Sequence, residues 1–257
     1  MKRVIIFTLL SFCLLSSVLC LLSSWGCLKS PTQPTVVPKY NVFAILDPMK
    51  RNQKVIVDKI YAMDEDANKK ILPLAKEVKL QCPAFEVGFS PIIDTPTVYR
   101  DTSVVFYVMP ESTYTLSILF NDGIIMTTKT KVPGVFYIFW PMPGDTIDLS
   151  DSLDAIIWTA SKGAKGYLVS LFTKAEDWVV TFATQDTILP ALFISFYSPQ
   201  IFREEGSYRV DIKAIDENYY NYEEEKINID KVIGCLGSIF HISRYYYFKI
   251  PPIKKSK

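Results

Sequence analysis

Hydrophobic residues recur at every second position through most of the chain, and the spacing of an amphipathic helix is almost absent. In Thr113–Phe120, Tyr114, Leu116, Ile118 and Phe120 share one face, with Thr113, Thr115 and Ser117 opposite, the alternation of a half-buried strand. Asn121-Asp122-Gly123 follows, a triplet suited to the positive φ angles of a tight hairpin, and Ile124–Lys131 returns. The same reading predicts strands at Asn41–Leu46, Lys54–Ala62, Glu77–Gln81, Phe85–Phe89 and Ser103–Val108. Prolines and glycines then cluster from Val132 to Gly144 and mark a boundary. Beyond it, Ala155–Thr159, Gly166–Phe172, Trp178–Ala183 and Ser207–Ile215 form a second β series. Ile188–Tyr197 is apolar but interrupted by Pro190, which leaves strand and buried loop both open. The pattern predicts an all-β chain of two antiparallel β-sandwich domains, at residues 40–135 and 143–225. Residues 226–257 add C-terminal strands, with packing back onto the first domain as one option.

The first residues follow a different pattern. Lys2 and Arg3 precede an uncharged, apolar run from Val4 to Leu22, then Ser23-Ser24-Trp25-Gly26 and Cys27. A basic start, an apolar core and a small residue before a cysteine predict a signal peptide at 1–26 and lipidation of Cys27. Each acyl CH₂ buried in a membrane adds about 0.8 kcal/mol of affinity. The run is also long enough to span a bilayer uncleaved, so an N-terminal anchor and plain secretion are the alternatives. Residues 27–39 hold that cysteine and a charge-poor stretch with Pro31, Pro34 and Pro38, a semi-rigid linker.

Composition narrows the partners. The formal net charge is +1, and it becomes −1 once Lys2 and Arg3 leave with the signal peptide. Near neutrality without a basic cluster excludes nucleic acid, whose binding needs many phosphate contacts. Of five cysteines, Cys13 and Cys20 leave with the signal and Cys27 carries lipid, so Cys82 and Cys235 remain. An exported pair is free to form a disulfide, and two buried thiols are the other outcome.

Reaction chemistry finds little support in the chain. His241 is the only histidine and sits in an apolar strand-like segment, with no glycine-flanked serine to activate. One histidine and two spare cysteines fall short of a tetrahedral zinc site. Carboxylates gather at Asp64-Glu65-Asp66, Asp148/Asp151/Asp154, Glu204-Glu205, Asp216-Glu217 and Glu223–Glu225, all in polar runs that read as solvated loops. Asp64-x-Asp66-x-Asn68 opens like a calcium loop but has Lys69 for the glycine and Ala75 at the twelfth position. Calcium between the domains through Asp216 and Asn218 stays as an option. No cofactor is implied. Tyr219, Tyr220 and Tyr222 follow a strand and form a possible exposed stacking platform for a ligand such as a glycan.

Within the second series, Ala155-Ile156-Ile157-Trp158-Thr159 resembles strand B of a fibronectin type III domain, whose tryptophan packs in the core. Gly166-Tyr167-Leu168-Val169 resembles the next strand with its tyrosine, and Phe202 to Tyr208 resembles the corner before strand F. Phe202 stands where leucine is usual, and Glu204–Gly206 lacks the customary proline. The resemblance implies structural roles for Trp158, Tyr167, Phe202 and Tyr208.

The whole chain is similar to the two-domain β-rich envelope lipoproteins of Bacteroidota-like bacteria. The likeness runs through Gln53–Val57, Pro110–Leu116, Thr128–Pro133 and Gly234–Phe240. Those proteins offer no active site to carry over, and Leu28-Lys29-Ser30 lacks the acidic residues that often direct them to the cell surface. Together these readings lead to a non-catalytic cell-envelope lipoprotein, a binding or scaffold module for protein or glycan partners that meets the membrane through its N-terminal lipid. The alternative is a carboxylate-dependent glycan hydrolase or an accessory subunit of one, which requires two buried acids across a cleft.

Overall fold

A computed structural model describes residues 39–60, 73–101, 103, 106–177, 179–197, 200–225, 228–229 and 232–250. Residues 1–38, which hold the predicted signal peptide, Cys27 and all but Lys39 of the predicted linker, lie outside the described residues, as do the Asp64–Asn68 stretch and Trp178. The alternating segments form strands, and the protein is all-β apart from two short helices among the described residues.

The first lobe contains β1 (Tyr40–Leu46), β2 (Lys54–Lys59), β3 (Ala75–Cys82), β4 (Phe85–Ile92), β5 (Thr95–Asp101), β6 (Thr113–Phe120) and β7 (Ile125–Lys131). Their order in the sheet is β1-β2-β5-β4-β3-β6-β7. The sheet folds over on itself, because Tyr40 of β1 stacks on Phe120 of β6 at 4.0 Å although four strands separate them in the ladder. In β6 the even positions are all buried, as the alternation requires, and Gly123 takes φ +86° in the hairpin turn to β7. β5 falls where no strand was expected. Pro96 is accommodated because β4 and β5 slip register between Pro91 and Ile92. The described positions of Ser103–Val108 form no strand.

The second lobe contains β8 (Ile138–Trp140), β9 (Thr146–Asp148), β10 (Ala155–Trp158), β11 (Gly166–Phe172), β12 (Val179–Thr184), β13 (Ile188–Pro190), β14 (Gly206–Ile215) and the long β16 (Val232–Lys249). Helix α1 (Ala191–Tyr197) follows Pro190, so the ambiguous apolar stretch divides into a strand and a helical turn with Ala191 and Ile194 buried. Helix α2 (Glu217–Glu225) and the two-residue β15 (Asn228–Ile229) lie between β14 and β16.

One sheet runs β12-β11-β14-β16 and the facing sheet runs β13-β10-β8. This is the strand order of an immunoglobulin-like, fibronectin type III-like sandwich. Trp158 is buried edge-on against Tyr167 at 5.4 Å. The Tyr167 hydroxyl accepts from the Ser161 amide at 2.8 Å. Phe202 packs on Tyr208 and on Phe248, and the Tyr208 hydroxyl donates to the Glu204 carbonyl at 2.5 Å, closing a tyrosine corner.

β16 joins the lobes. Val232–Ser238 pairs in parallel with β1, and Ile239–Phe248 pairs antiparallel with β14. An 18-residue strand extends roughly 60 Å. Its passage past β1 depends on Gly234, which adopts φ +145° and whose added Cβ would lie 1.7 Å from the Val42 carbonyl oxygen. Leu168, Ile215 and Ile239 form a small apolar cluster at the seam, with Ile45, Tyr219 and Tyr220 against it.

Candidate binding surface

Among the described residues, the outer face of the three-stranded sheet is apolar and part-exposed. Cross-strand register places Trp140 beside Ile157 and Ile157 beside Ile188, so the three side chains form one row pointing away from the core. Residues directly opposite on one face stand about 5 Å apart. Their inward neighbours Ile138, Ile156, Trp158 and Leu189 fill the core, which explains the outward direction of the row. Trp140 is 40% exposed and Ile188 46%. A register shift at Ile157/Trp158 leaves Phe139 outside as well, 49% exposed, and Tyr137 follows at 64%. A contiguous apolar patch of this kind marks an interaction surface more often than scattered single residues do. Sequence reasoning missed it because period two says which residues share a face, not which face a second sheet covers.

The tyrosines considered as a stacking platform lie on α2. Tyr219 belongs to the seam, with its Cβ 2.6 Å from where a side chain on Gly237 would begin. The Tyr220 ring crowds Gly166, and its hydroxyl accepts from Gln185 Nε2 at 3.0 Å. Tyr222 is more exposed and tilts against Phe43 at 5.5 Å. Each of the three packs against a different part of the fold. The helix itself was hidden because Glu217–Glu225 carries no apolar stripe, although Asp216 is a good N-cap.

Asp216 is the most connected acid at the seam. It accepts from the Ser238 amide at 2.9 Å, the Tyr219 amide at 3.1 Å and the Thr130 hydroxyl at 2.5 Å. Burial pushes its pKa above the ordinary carboxylate value, against the lowering effect of those donors. Asn218 donates to the carbonyls of Lys129 and Leu236, and Ser238 Oγ donates to the Lys131 carbonyl at 3.1 Å. The polar side chains therefore bring the end of β7 against β16. Among the described residues, no group of three or more His, Cys, Asp or Glu side chains could hold a metal ion.

Several other acids have partners of their own. Asp47 is buried and accepts from the Met49 amide, while His241 Nδ1 lies 3.3 Å from its Oδ2. Burial raises the Asp47 pKa, but His241, the Met49 amide and Lys50 outweigh it and leave the group below its usual value. Burial raises Asp101, which accepts from the Ser103 amide at 2.6 Å. Asp148 drops to about 2 through Ser150 and Lys249, and Asp151 and Asp154 accept main-chain amides within the same turn. Glu204 pairs with Lys174, and Glu176 with Arg209 and Tyr245. Cys82 and Cys235 are both buried and form no disulfide, and the Cys235 thiol points at the Asn218 carbonyl at 3.6 Å. No helix among the described residues is long and apolar enough to cross a membrane.

No family model and no curated protein sequence matches the chain. Solved structures similar to it include the FN1–FN3 domains of chicken CNTN1, at 12% identity and TM-score 0.26 over 82% of this chain and 67% of that one. A calcium-stabilized adhesin with which an Antarctic bacterium binds ice is 9% identical, with TM-score 0.22, over 84% of this chain and 50% of that one. Murine CEACAM1b is 9% identical, with TM-score 0.19, over 83% of this chain and all of that one (100%). Fold class stands independently of these likenesses, on the strand order and the tyrosine corner of the second lobe. The protein is an all-β, immunoglobulin- and fibronectin type III-like sandwich protein.

Proposed function

We propose that the chain is a non-catalytic binding or scaffold module of the cell envelope, exported by residues 1–26 and held on a membrane by lipid at Cys27. It is of the kind found in the β-rich envelope lipoproteins of Bacteroidota-like bacteria, and it engages a protein or a glycan. The observation that carries this reading is the row Trp140–Ile157–Ile188, part-exposed among the described residues, with Tyr137 and Phe139 beside it. Fully covering a large apolar side chain contributes about 1.5–3 kcal/mol, and half-exposed ones contribute correspondingly less. Three or four such residues suffice for a specific contact, with aromatic rings the natural anchors. Tyr219 and Tyr220 are packed into the seam, which leaves Tyr222 as the more accessible ring of that cluster.

The test has two arms. Labelling cells with a palmitate analogue tags the wild type and leaves Cys27→Ala unlabelled; the full-length, unprocessed chain in the cytosol would sink the address. Pulldown from envelope extract and a glycan array are then run with wild type and with the Trp140→Ser/Ile188→Ser variant. Loss of the captured partner in the variant supports the surface, and unchanged capture refutes it.

A further inference from the structure

β16 is paired along Ile239–Phe248 on one edge, and its other edge is interrupted within the same stretch. On the first edge β14 covers Ile239–Phe248 without a break. On the second, β1 ends where Leu46 meets Ser238, and β9 begins where Thr146 meets Tyr247. Between those points lie residues 239–246, with no strand beside them among the described residues.

Main-chain direction identifies which groups the interruption leaves open. The Ser238 carbonyl accepts from the Asp216 amide on the β14 side, and the Lys249 carbonyl accepts from the Leu149 amide on the β9 side. N–H and C=O groups of successive strand residues point to opposite edges. His241, Ser243 and Tyr245 therefore aim their amides and carbonyls into the interruption. β1 cannot fill it because the chain turns away at Asp47, where Gln53 holds the turn by exchanging hydrogen bonds with the Asp47 backbone at 3.0 and 2.9 Å.

Alongside this edge lies a groove of about 530 Å³, with Met49, Val135 and Tyr137 on one wall and residues 240–244 of β16 on the other. Arg244 is the one formal charge in its lining, and among the described residues it forms no salt bridge.

We infer that this gap is a strand-acceptor site that takes an extended peptide from a partner protein, apolar at alternate positions and carrying a carboxylate for Arg244. Open main-chain groups on a sheet edge are satisfied by another strand, and the edge fixes its conformation while the groove selects its side chains. Eight strand residues span roughly 26 Å, so a segment of five to eight residues fits between the end of β1 and the start of β9. A second copy of this chain fits poorly, since an edge approaching as part of a whole sheet meets β1 and β9 at either end. The site shares Tyr137 with the surroundings of the apolar row, but its open main-chain edge and Arg244 lie on β16 and do not depend on Trp140, Ile157 or Ile188.

The experiment uses the full chain in detergent and an acetylated, amidated octapeptide of alternating threonine and valine with one central glutamate. Fluorescence anisotropy reports binding, and hydrogen exchange reports the amides of His241, Ser243 and Tyr245. Expected results are saturable binding, exchange at those three amides slowed at least tenfold, and no binding of a peptide with proline in place of each valine. Arg244→Glu weakens the glutamate peptide about tenfold and favours its lysine counterpart. Ser243→Pro removes a donor from the open edge and abolishes binding, a substitution that edge positions tolerate. The proline peptide gives the same answer without altering the protein. Equal binding of the proline and valine peptides overturns the inference, as does absence of binding. Protection of the three amides before peptide is added would show a segment of this chain already in the gap, and a dimer in sedimentation would show a second copy there. Either result also overturns it.

Discussion

Replacing Asp216 separates the two services its carboxylate performs. In Asp216→Ala the Ser238 and Tyr219 amides lose their acceptor at a position only 4% exposed. A buried donor left unpaired costs about 1–3 kcal/mol, and loss of an N-cap by itself about 1 kcal/mol. The Thr130 hydroxyl escapes that fate because Ser238 Oγ lies 3.0 Å away and can take its hydrogen. The expected loss is about 3 kcal/mol for Ala. Asp216→Asn retains an oxygen for both amides, and its expected loss is below about 1 kcal/mol.

The pH dependence has a definite sign. Burial raises the Asp216 pKa in the fold, so the folded state binds the proton more readily than the unfolded state. The protonated acid is therefore the more stable form in the fold. This contribution is greatest below the unfolded value and falls as pH rises through the folded one. Wild type should thus gain on both variants as pH drops from 7 towards 4, and differences between proteins cancel the other acids. Urea unfolding followed by tryptophan fluorescence at several pH values measures all of this. An Ala variant within 0.5 kcal/mol of wild type, an Asn variant as damaged as Ala, or differences flat with pH would refute the reasoning.

Three other outcomes test the fold. Tyr208→Phe, which removes only the hydroxyl bonded to Glu204, should lower stability by about 1–1.5 kcal/mol in the same urea assay. Gly234→Ala forces a methyl group onto the Val42 carbonyl, 1.7 Å away, at φ +145°, and is expected to lose more than about 3 kcal/mol or to yield no folded protein by circular dichroism. Alkylation in denaturant without reductant should tag both Cys82 and Cys235, and failure to tag the pair would reveal a disulfide.

Much of the architecture was legible in the sequence because a strand writes its burial into every second residue. Thr113–Phe120 and Ser207–Ile215 alternate so strictly that their inner and outer faces could be assigned before any partner was known. Phe202 and Tyr208, six residues apart, likewise marked the tyrosine corner, since that contact is local along the chain. The candidate surface was not legible. Ile157 read as an ordinary strand residue, Ile188 stood in a stretch open between strand and buried loop, and Trp140 fell in the proline- and glycine-rich boundary. Only the pairing of β8, β10 and β13 and the layering of two sheets set the three side by side and facing outward. Tyr219–Tyr222 looked exposed because an acidic stretch looks solvated, and the Asp216 cap with the packing of β16 drew two of the rings into the seam. The sequence by itself determined the period, the turns and the local corner, all of which depend on residues near one another in the chain. Tertiary structure alone decided that one strand serves both lobes, that β7 meets it through Thr130 and Ser238, and that its second edge is left open between β1 and β9. Those are pairings between residues as many as about two hundred positions apart, and which edges meet is set by the packing of whole sheets rather than by any local preference.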